Sequence, residues 1–227
     1  MSREFDFIDS LRAIATHPAA RGLMDDTAVL QIGGEALILT HDAMVEGTHF
    51  LPEQDMTDVA WKLVATNLSD LAAKGAKPLG VLLGHSLGVG DDRFVAGLTE
   101  ALARYDCPLL GGDTVSGEGT RTFGMTAIGT ATHTPVPGRD GAQIGDALYI
   151  TGSVGAAMLG FEALRDGTGA HDIAYRRPEP LIEEGRLLAP IVTSMMDVSD
   201  GLLLDASRIA IASGVELSIR TADIPIA

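Results

Sequence analysis

Apolar positions along the chain switch repeatedly between a period of two and a period near 3.6, which predicts alternating strands and helices. Phe5, Ile8, Leu11 and Ile14 share a helical stripe that Pro18 ends. Val29, Leu30 and Ile32 predict a strand, and Leu37, Ile38 and Leu39 a second. Gly33-Gly34 between them is a hairpin turn, because glycine accepts the positive φ that tight hairpins need. His49-Phe50-Leu51-Pro52 reads as an extended segment. The longest helix is expected from Thr57 to Lys74, with Val59, Ala60, Leu63, Val64, Leu68 and Leu71 on a broad apolar stripe. Leu79 to Leu87 predicts a strand. A helix follows, capped by Asp91 or Asp92, with Phe94, Leu98, Ala101, Leu102 and Tyr105 on one face. Pro108-Leu109-Leu110 reads as a short buried strand ending in Gly111-Gly112-Asp113-Thr114, and Thr122 to Ala131 as an alternating strand.

Proline and glycine in Pro135-Val136-Pro137-Gly138-Arg139-Asp140-Gly141 break both periods and predict a linker. The expected organisation is therefore an N-terminal domain over 1–137 and a C-terminal domain over 138–227. The second opens with a strand at Ala147-Leu148-Tyr149-Ile150, a glycine loop and a helix carrying Met158, Leu159, Phe161 and Leu164. Further helices are expected near Leu181 to Leu188 and through Leu202, Leu203, Ile209 and Ala210, the latter capped by Asp197, Ser199 or Asp200. A last strand is expected through Val215, Leu217 and Ile219. The fold class is α/β in two domains.

Composition narrows the function. A net charge of −15 argues against a nucleic-acid binder, which shows a basic footprint. A phosphate substrate stays open, because bound metal inverts the local field. One cysteine, Cys107, excludes an intramolecular disulfide and a multi-cysteine metal site. The charged N-terminus lacks the apolar core of a signal peptide, and no apolar run approaches a membrane span. The expected location is cytoplasmic.

The chemistry lies in recurring acidic turns. A two-residue hairpin loop puts Asp26 opposite His41, and a three-residue loop puts it opposite Asp42. Either register brings carboxylates of both strands to the open end. Facing like charges destabilise a sheet, and a divalent cation with oxygen ligands is the simplest offset. Asn67 falls within the apolar stripe of the long helix and Asp70 at its edge, between Val59 and Leu63; Asp58, Lys62 and Ser69 fall opposite. An amide and a carboxylate on a core-facing stripe need partners. For Asn67 a satisfied hydrogen bond and a functional role stand level, and Asp70 leans to function. Asp113 beside two glycines, and Asp197, Ser199 and Asp200 at a helix start, add further acid and hydroxyl groups. Arg139 is a cation that could reach a nucleotide phosphate. No Ser/His/Asp order and no zinc-spaced histidine pair is present. A polynuclear Mg²⁺ site that handles polyphosphate accounts for the acids.

Five segments occur in an order that resembles the thiamine-monophosphate kinase family: Asp25-Asp26-Thr27-Ala28-Val29, Thr40-His41-Asp42 through Phe50, Asn67-Leu68-Ser69-Asp70-Leu71, Gly111-Gly112-Asp113-Thr114 and Asp197-Val198-Ser199-Asp200-Gly201. That family shares a superfamily with aminoimidazole ribonucleotide synthetase and selenophosphate synthetase. The resemblance implies an ATP- and Mg²⁺-dependent transferase that makes thiamine diphosphate from thiamine monophosphate. It implies an N-terminal mixed sheet that pairs into a barrel across a homodimer, with ATP between that domain and a C-terminal α/β domain. Carried over residue by residue, Asp26, Thr40, Asp42, Asp70, Asp113, Asp197 and Asp200 would hold metal. Gly112, Asp113, Arg139 and Ser199 would contact nucleotide, and His49 would lie near the substrate. His41, Met24 and Lys74 depart from common family residues, and any metal contact at His41 would run through backbone. Family members also continue past Ala227 with a Gly-Gly-Glu-Asp motif and an aromatic for the thiamine, so the C-terminal domain is expected to be incomplete here. The competing readings are a sister enzyme with another acceptor and a nucleotide-binding or dimerisation module without catalysis.

Overall fold

The computed structural model describes residues 3–169 and 171–227, apart from the side chains of residues 4 and 5. The expected contribution of Phe5 to a helical stripe lies outside the described residues. Helix α1 (Arg3–Arg12) is shorter than expected and leaves Phe7 and Ile14 exposed.

Strands β1 (Ala28–Ile32) and β2 (Glu35–Val45) form the hairpin, with Gly33-Gly34 as a two-residue loop. Helix α2 (Met56–Ala72) follows, then β3 (Ala76–Ser86), α3 (Asp91–Arg104), β4 (Leu109–Val115) and β5 (Thr122–Ala131). The five strands make one mixed sheet in the order β1-β2-β5-β3-β4, in which only β3 and β4 run parallel. The alternation in β2 and β5 puts Ile38, Met44, Phe123, Met125 and Ala127 on one buried face. Helices α2 and α3 cover that face, and Val59, Leu63, Leu68 and Leu71 fill the layer between. Asp55 caps α2 by accepting the Thr57 N–H at 2.9 Å.

Several expectations change. β2 is longer than Leu37–Leu39, so Thr40-His41-Asp42 lies inside the strand. His49 sits in a turn and not an extended run, because Thr48 and His49 donate back to Val45 O. β4 extends through Gly111-Gly112-Asp113-Thr114 and is exposed along its whole length, since it is an edge strand bonded on one side only. It lies so close to β3 that a Cβ at Gly112 would fall 2.0 Å from Leu83 O. Neither Asp91 nor Asp92 caps α3; Gly90 holds the cap position, and Asp91 instead accepts from Gly88 N and pairs with Arg121.

The second segment carries α4 (Ala156–Arg165), α5 (Ile173–Arg176), α6 (Ile182–Leu188) and α7 (Leu202–Ser213). The expected strands at 147–150 and 215–219 do not form: a strand needs a laddered neighbour, and neither stretch has one among the described residues. The 135–141 stretch packs its middle against the rest of the chain. Val136, Pro137 and Gly138 are buried, and Arg21 donates to Val136 O at 2.9 Å. Asp58 is also not on a solvent face. It is buried and ion-paired with Arg176 and Arg177, while Trp61 Nε1 donates to Pro178 O at 2.9 Å. The second segment is thus docked along α2.

The tightest part of that docking is the crossing of α6 on the end of α2, where a Cβ at Gly185 would lie 2.0 Å from Ala72 O. A backbone acceptor cannot yield without moving the helix. Gly185→Ala is expected to cost about 1–3 kcal/mol, read as a lower urea midpoint. Gly117→Ala, in open space, is expected to leave the midpoint unchanged.

Candidate functional site

Because side chains alternate along a strand, Thr40 and Asp42 share the helix-facing side of β2 with Ile38 and Met44. Asn67 of α2 is fully buried beneath them. Its Oδ1 accepts the Asp42 N–H at 3.1 Å and its Nδ2 donates to Leu63 O at 2.9 Å. Asn67 is therefore a satisfied buried amide that fixes Asp42. Three residues further on, Asp70 is buried and accepts a hydrogen bond from the Thr40 hydroxyl. Asp197 arrives from the loop before α7. Carboxylate oxygens of Asp26, Asp70 and Asp197 all lie within 4.8 Å of one another.

Burial and mutual repulsion disfavour the charges of this cluster. Asp70 is pushed up to about 8, first by desolvation and then by the Asp197 charge, with the Thr40 hydroxyl opposing. Asp197 is raised to about 6 by burial and by Asp26, with the Ser69 hydroxyl opposing. Ser69 therefore faces the site, not the opposite side of α2 as helical spacing implied. Asp42 is raised as well, chiefly by burial, with His41 and His49 opposing and Asp26 and Asp200 adding.

The aspartates at the hairpin entrance are not without counter-charges. Lys74, which has no exposed surface, places its ammonium 2.6 Å from Asp25 Oδ1 and 2.6 Å from Asp26 Oδ2. The second contact is an ion pair without hydrogen-bond alignment. Arg139 Nε donates to Asp26 Oδ1 at 2.9 Å, and Arg21 pairs with Asp25 at 2.5 Å. Arg139 is thus a partner of Asp26. Lys74 lies four residues after Asp70, in the turn past the end of α2; a lysine at the end of that apolar stripe was the signal available in the sequence.

The remaining candidates are spread out. Gly112 and Asp113 lie on exposed β4, level with Ala43 in the register but three strands from it, about 14 Å at normal strand spacing. Within one chain they do not join the cluster. His49 is exposed; its Nδ1 accepts the Val45 N–H at 3.0 Å, and its carbonyl accepts from Lys62 at 2.9 Å and Tyr175 at 3.3 Å. Ser199 and Asp200 are exposed at the entry to α7. They do not cap it: Gly201 takes that position, and buried Asp205 accepts the Asp200 and Gly201 N–H groups, each at 3.1 Å. Asp205 was not expected from the sequence, although an acid in the first turn of a helix is a recognised signal. A cleft of about 370 Å³ opens beside Asp26, Thr40, Asp42 and Asp70. The chemistry of these donors fits a hard divalent cation. Oxygen ligands suit it, and its charge would offset both the desolvation and the repulsion that raise Asp70 and Asp197.

Fold and site together define an AIR synthase related protein. The N-terminal domain model of that family matches residues 24–131, and the C-terminal domain model matches residues 143–227. Thiamine-monophosphate kinase of Caulobacter vibrioides is 41% identical, over 98% of this chain and 67% of its own. The Salmonella typhimurium enzyme is 35% identical, over 94% and 68%. A solved structure described as AaThiL complexed with AMPPCP and TMP superposes with a TM-score of 0.91 at 29% identity, covering 99% of this chain and 74% of that one. The Stenotrophomonas maltophilia thiamine-monophosphate kinase gives 0.80 at 32%, over 98% and 75%. The chain belongs to the thiamine-monophosphate kinase family.

The raised acids give the metal-free protein a defined pH response. Asp70 is protonated in the fold up to about pH 8 but ionised in the unfolded chain above its ordinary 3.8. The native state then binds more protons across that window, so this group's contribution to stability falls as pH rises from about 4 to 8. Asp70→Asn removes the dependence. In EDTA, the melting temperature of the variant minus that of the wild type is expected to be larger at pH 8 than at pH 5; an equal difference at both contradicts the burial-driven shift.

Proposed function

We propose that the chain transfers the γ-phosphoryl group of ATP to thiamine monophosphate, with Mg²⁺ at the Asp26, Asp70 and Asp197 cluster and nucleotide between the two segments. The observation that carries the reading is the convergence of three partly buried carboxylates, two of which line an open cleft, in a chain of this family. The ATP analogue and TMP in the name of one structural neighbour support the same pair of substrates.

Asp26, Asp70 and Asp197 would hold metal directly, with Thr40, Asp42 and Asp200 at the margin of the site. When bound, Mg²⁺ supplies the charge neutralisation that lets two anionic phosphates approach. The chain's own groups then position. Asn67 fixes Asp42 through its backbone, Thr40 orients Asp70, and Arg139 holds Asp26 while its guanidinium stays partly exposed. The attacking group is already a phosphate anion, so no residue is needed as nucleophile or strong base, and transfer proceeds by direct in-line displacement. Lys62, whose burial lowers its ammonium to about 8, and Tyr175 hold the His49 turn where the substrate would approach.

Assembly belongs to the same reading. β4 is a bare edge with Leu109, Leu110 and Val115 exposed, and such edges invite pairing. A homodimer closed across this part of the sheet would carry Gly112, Asp113 and their loop into the partner's neighbourhood. That would give Asp113 a route to a metal or nucleotide that one chain does not offer. The division at 137/138 and a cytoplasmic setting complete the proposal.

The deciding experiment is turnover of thiamine monophosphate to the diphosphate with ATP and Mg²⁺, against an aminoimidazole precursor as competing acceptor. Conversion of the precursor alone overturns the assignment. Asp42→Asn is expected to lower kcat/KM about 100-fold or more while the melting temperature without metal holds or rises. Asp70→Ala is expected to lose the rise in melting temperature that Mg²⁺-ATP gives, and Thr99→Ala, on α3, to keep it. Light scattering at micromolar concentration is expected to give the mass of a dimer; a monomer there removes the assembly proposal.

A further inference from the structure

The acidic centre is divided by charge. On one side, Asp25 and Asp26 touch three fixed cations: Arg21 on Asp25, Arg139 on Asp26, and Lys74 on both. On the other side, Asp70 and Asp197 have hydroxyl neighbours, Thr40 and Ser69, and no ion pair among the described residues. The ammonium of Lys74 is the central piece. It has no exposed surface, lies 2.6 Å from an oxygen of each aspartate, and donates its third contact to Met195 O at 3.0 Å. Met195 stands two residues before Asp197, so one side chain joins the hairpin entrance, the end of α2 and the loop that presents Asp197.

We propose that Lys74 is a resident monovalent cation of the acidic centre: it holds Asp25 and one oxygen of Asp26 as a metal ion would, and a divalent ion at Asp26, Asp70 and Asp197 binds against its charge. The inference rests on the cation-site reading of the preceding section. Lys74 is a positioning residue and touches no substrate. The buried ammonium donates to Met195 O and ion-pairs with one oxygen of each aspartate, so it acts as a fixed point charge and not as a reserve for ligand. Its charge holds Asp26 in place before any metal arrives. It also repels a divalent ion at the neighbouring carboxylates. Divalent affinity in the wild type is therefore set below what the carboxylates alone would give.

The test is titration of metal-free protein with Mn²⁺, with free ion counted by electron paramagnetic resonance and melting temperature followed in parallel. Lys74→Met keeps the volume and removes the charge. It is expected to bind Mn²⁺ about tenfold tighter or more, since an ammonium no longer opposes the ion across a few ångströms of low-dielectric protein. It is also expected to melt lower than the wild type without metal and to gain more from Mn²⁺. Equal Mn²⁺ affinity in wild type and Lys74→Met overturns the proposal while leaving the metal site intact. Absence of Mn²⁺ binding by the wild type overturns the cation-site reading, and this inference with it. Where Lys74→Met does not fold, the double variant Asp25→Asn/Lys74→Met removes a carboxylate together with the ammonium. It is expected to fold and to bind Mn²⁺ about tenfold tighter than Asp25→Asn alone. Failure of both variants to fold gives Lys74 a packing role and overturns the charge assignment.

Discussion

Carboxylates held out of water beside one another are the constraint around which this protein is built. Asp26, Asp42, Asp70 and Asp197 come from the entry to β1, from β2, from α2 and from the loop before α7, and they meet in one region. Desolvation and mutual repulsion both oppose their charges, and a structure that keeps them together must supply compensation at each. It does so unevenly. Lys74 and Arg139 answer Asp26 with full positive charge, whereas Asp70 and Asp197 receive only hydroxyl groups and sit far above the ordinary carboxylate range. The uncompensated half is where a divalent cation gains most, because ionising those acids costs least once it is bound.

Helix α2 is the element that makes the convergence possible. One side closes the sheet with Val59, Leu63, Leu68 and Leu71. Its C-terminal half presents Asn67 and Asp70 to β2, and the turn that follows it presents Lys74 to the hairpin entrance. Its outer side receives the second segment through the Asp58 pairs with Arg176 and Arg177, the Trp61 bond to Pro178 O, and the backbone contact at Gly185. Packing and chemistry are thus coupled. The contacts that dock the second segment also bring Asp197 to Asp70. Ion pairs such as those of Asp58 add little net stability once desolvation is counted, so orientation is their main contribution.

Much of this was legible in the sequence. The hairpin with its Gly33-Gly34 turn, the long amphipathic α2, the strand from Thr122 and helices α4, α6 and α7 follow from local period and turn chemistry. The five ordered acidic motifs were enough to indicate the family. What a helical wheel could not supply was which neighbour each face of α2 meets. That is why helical spacing puts Asp58 and Ser69 only opposite the apolar stripe, although one is buried under two arginines and the other lies beside Asp197.

Composition, periodicity and motif order by themselves determined the α/β class and the family to which the chain belongs, because these depend on residues near one another in the chain. Tertiary structure alone decided who compensates whom. Lys74 reaches Asp25 and Asp26 across some fifty residues of chain, and Arg139 reaches Asp26 across more than a hundred. It alone decided that 147–150 and 215–219 lack a ladder partner, and that Gly112 and Asp113 stand on an exposed edge away from the cluster. The physical reason is the same in each case. Burial, ion pairing and strand pairing are set by what lies opposite in space, and sequence spacing fixes only the side from which a residue can be approached.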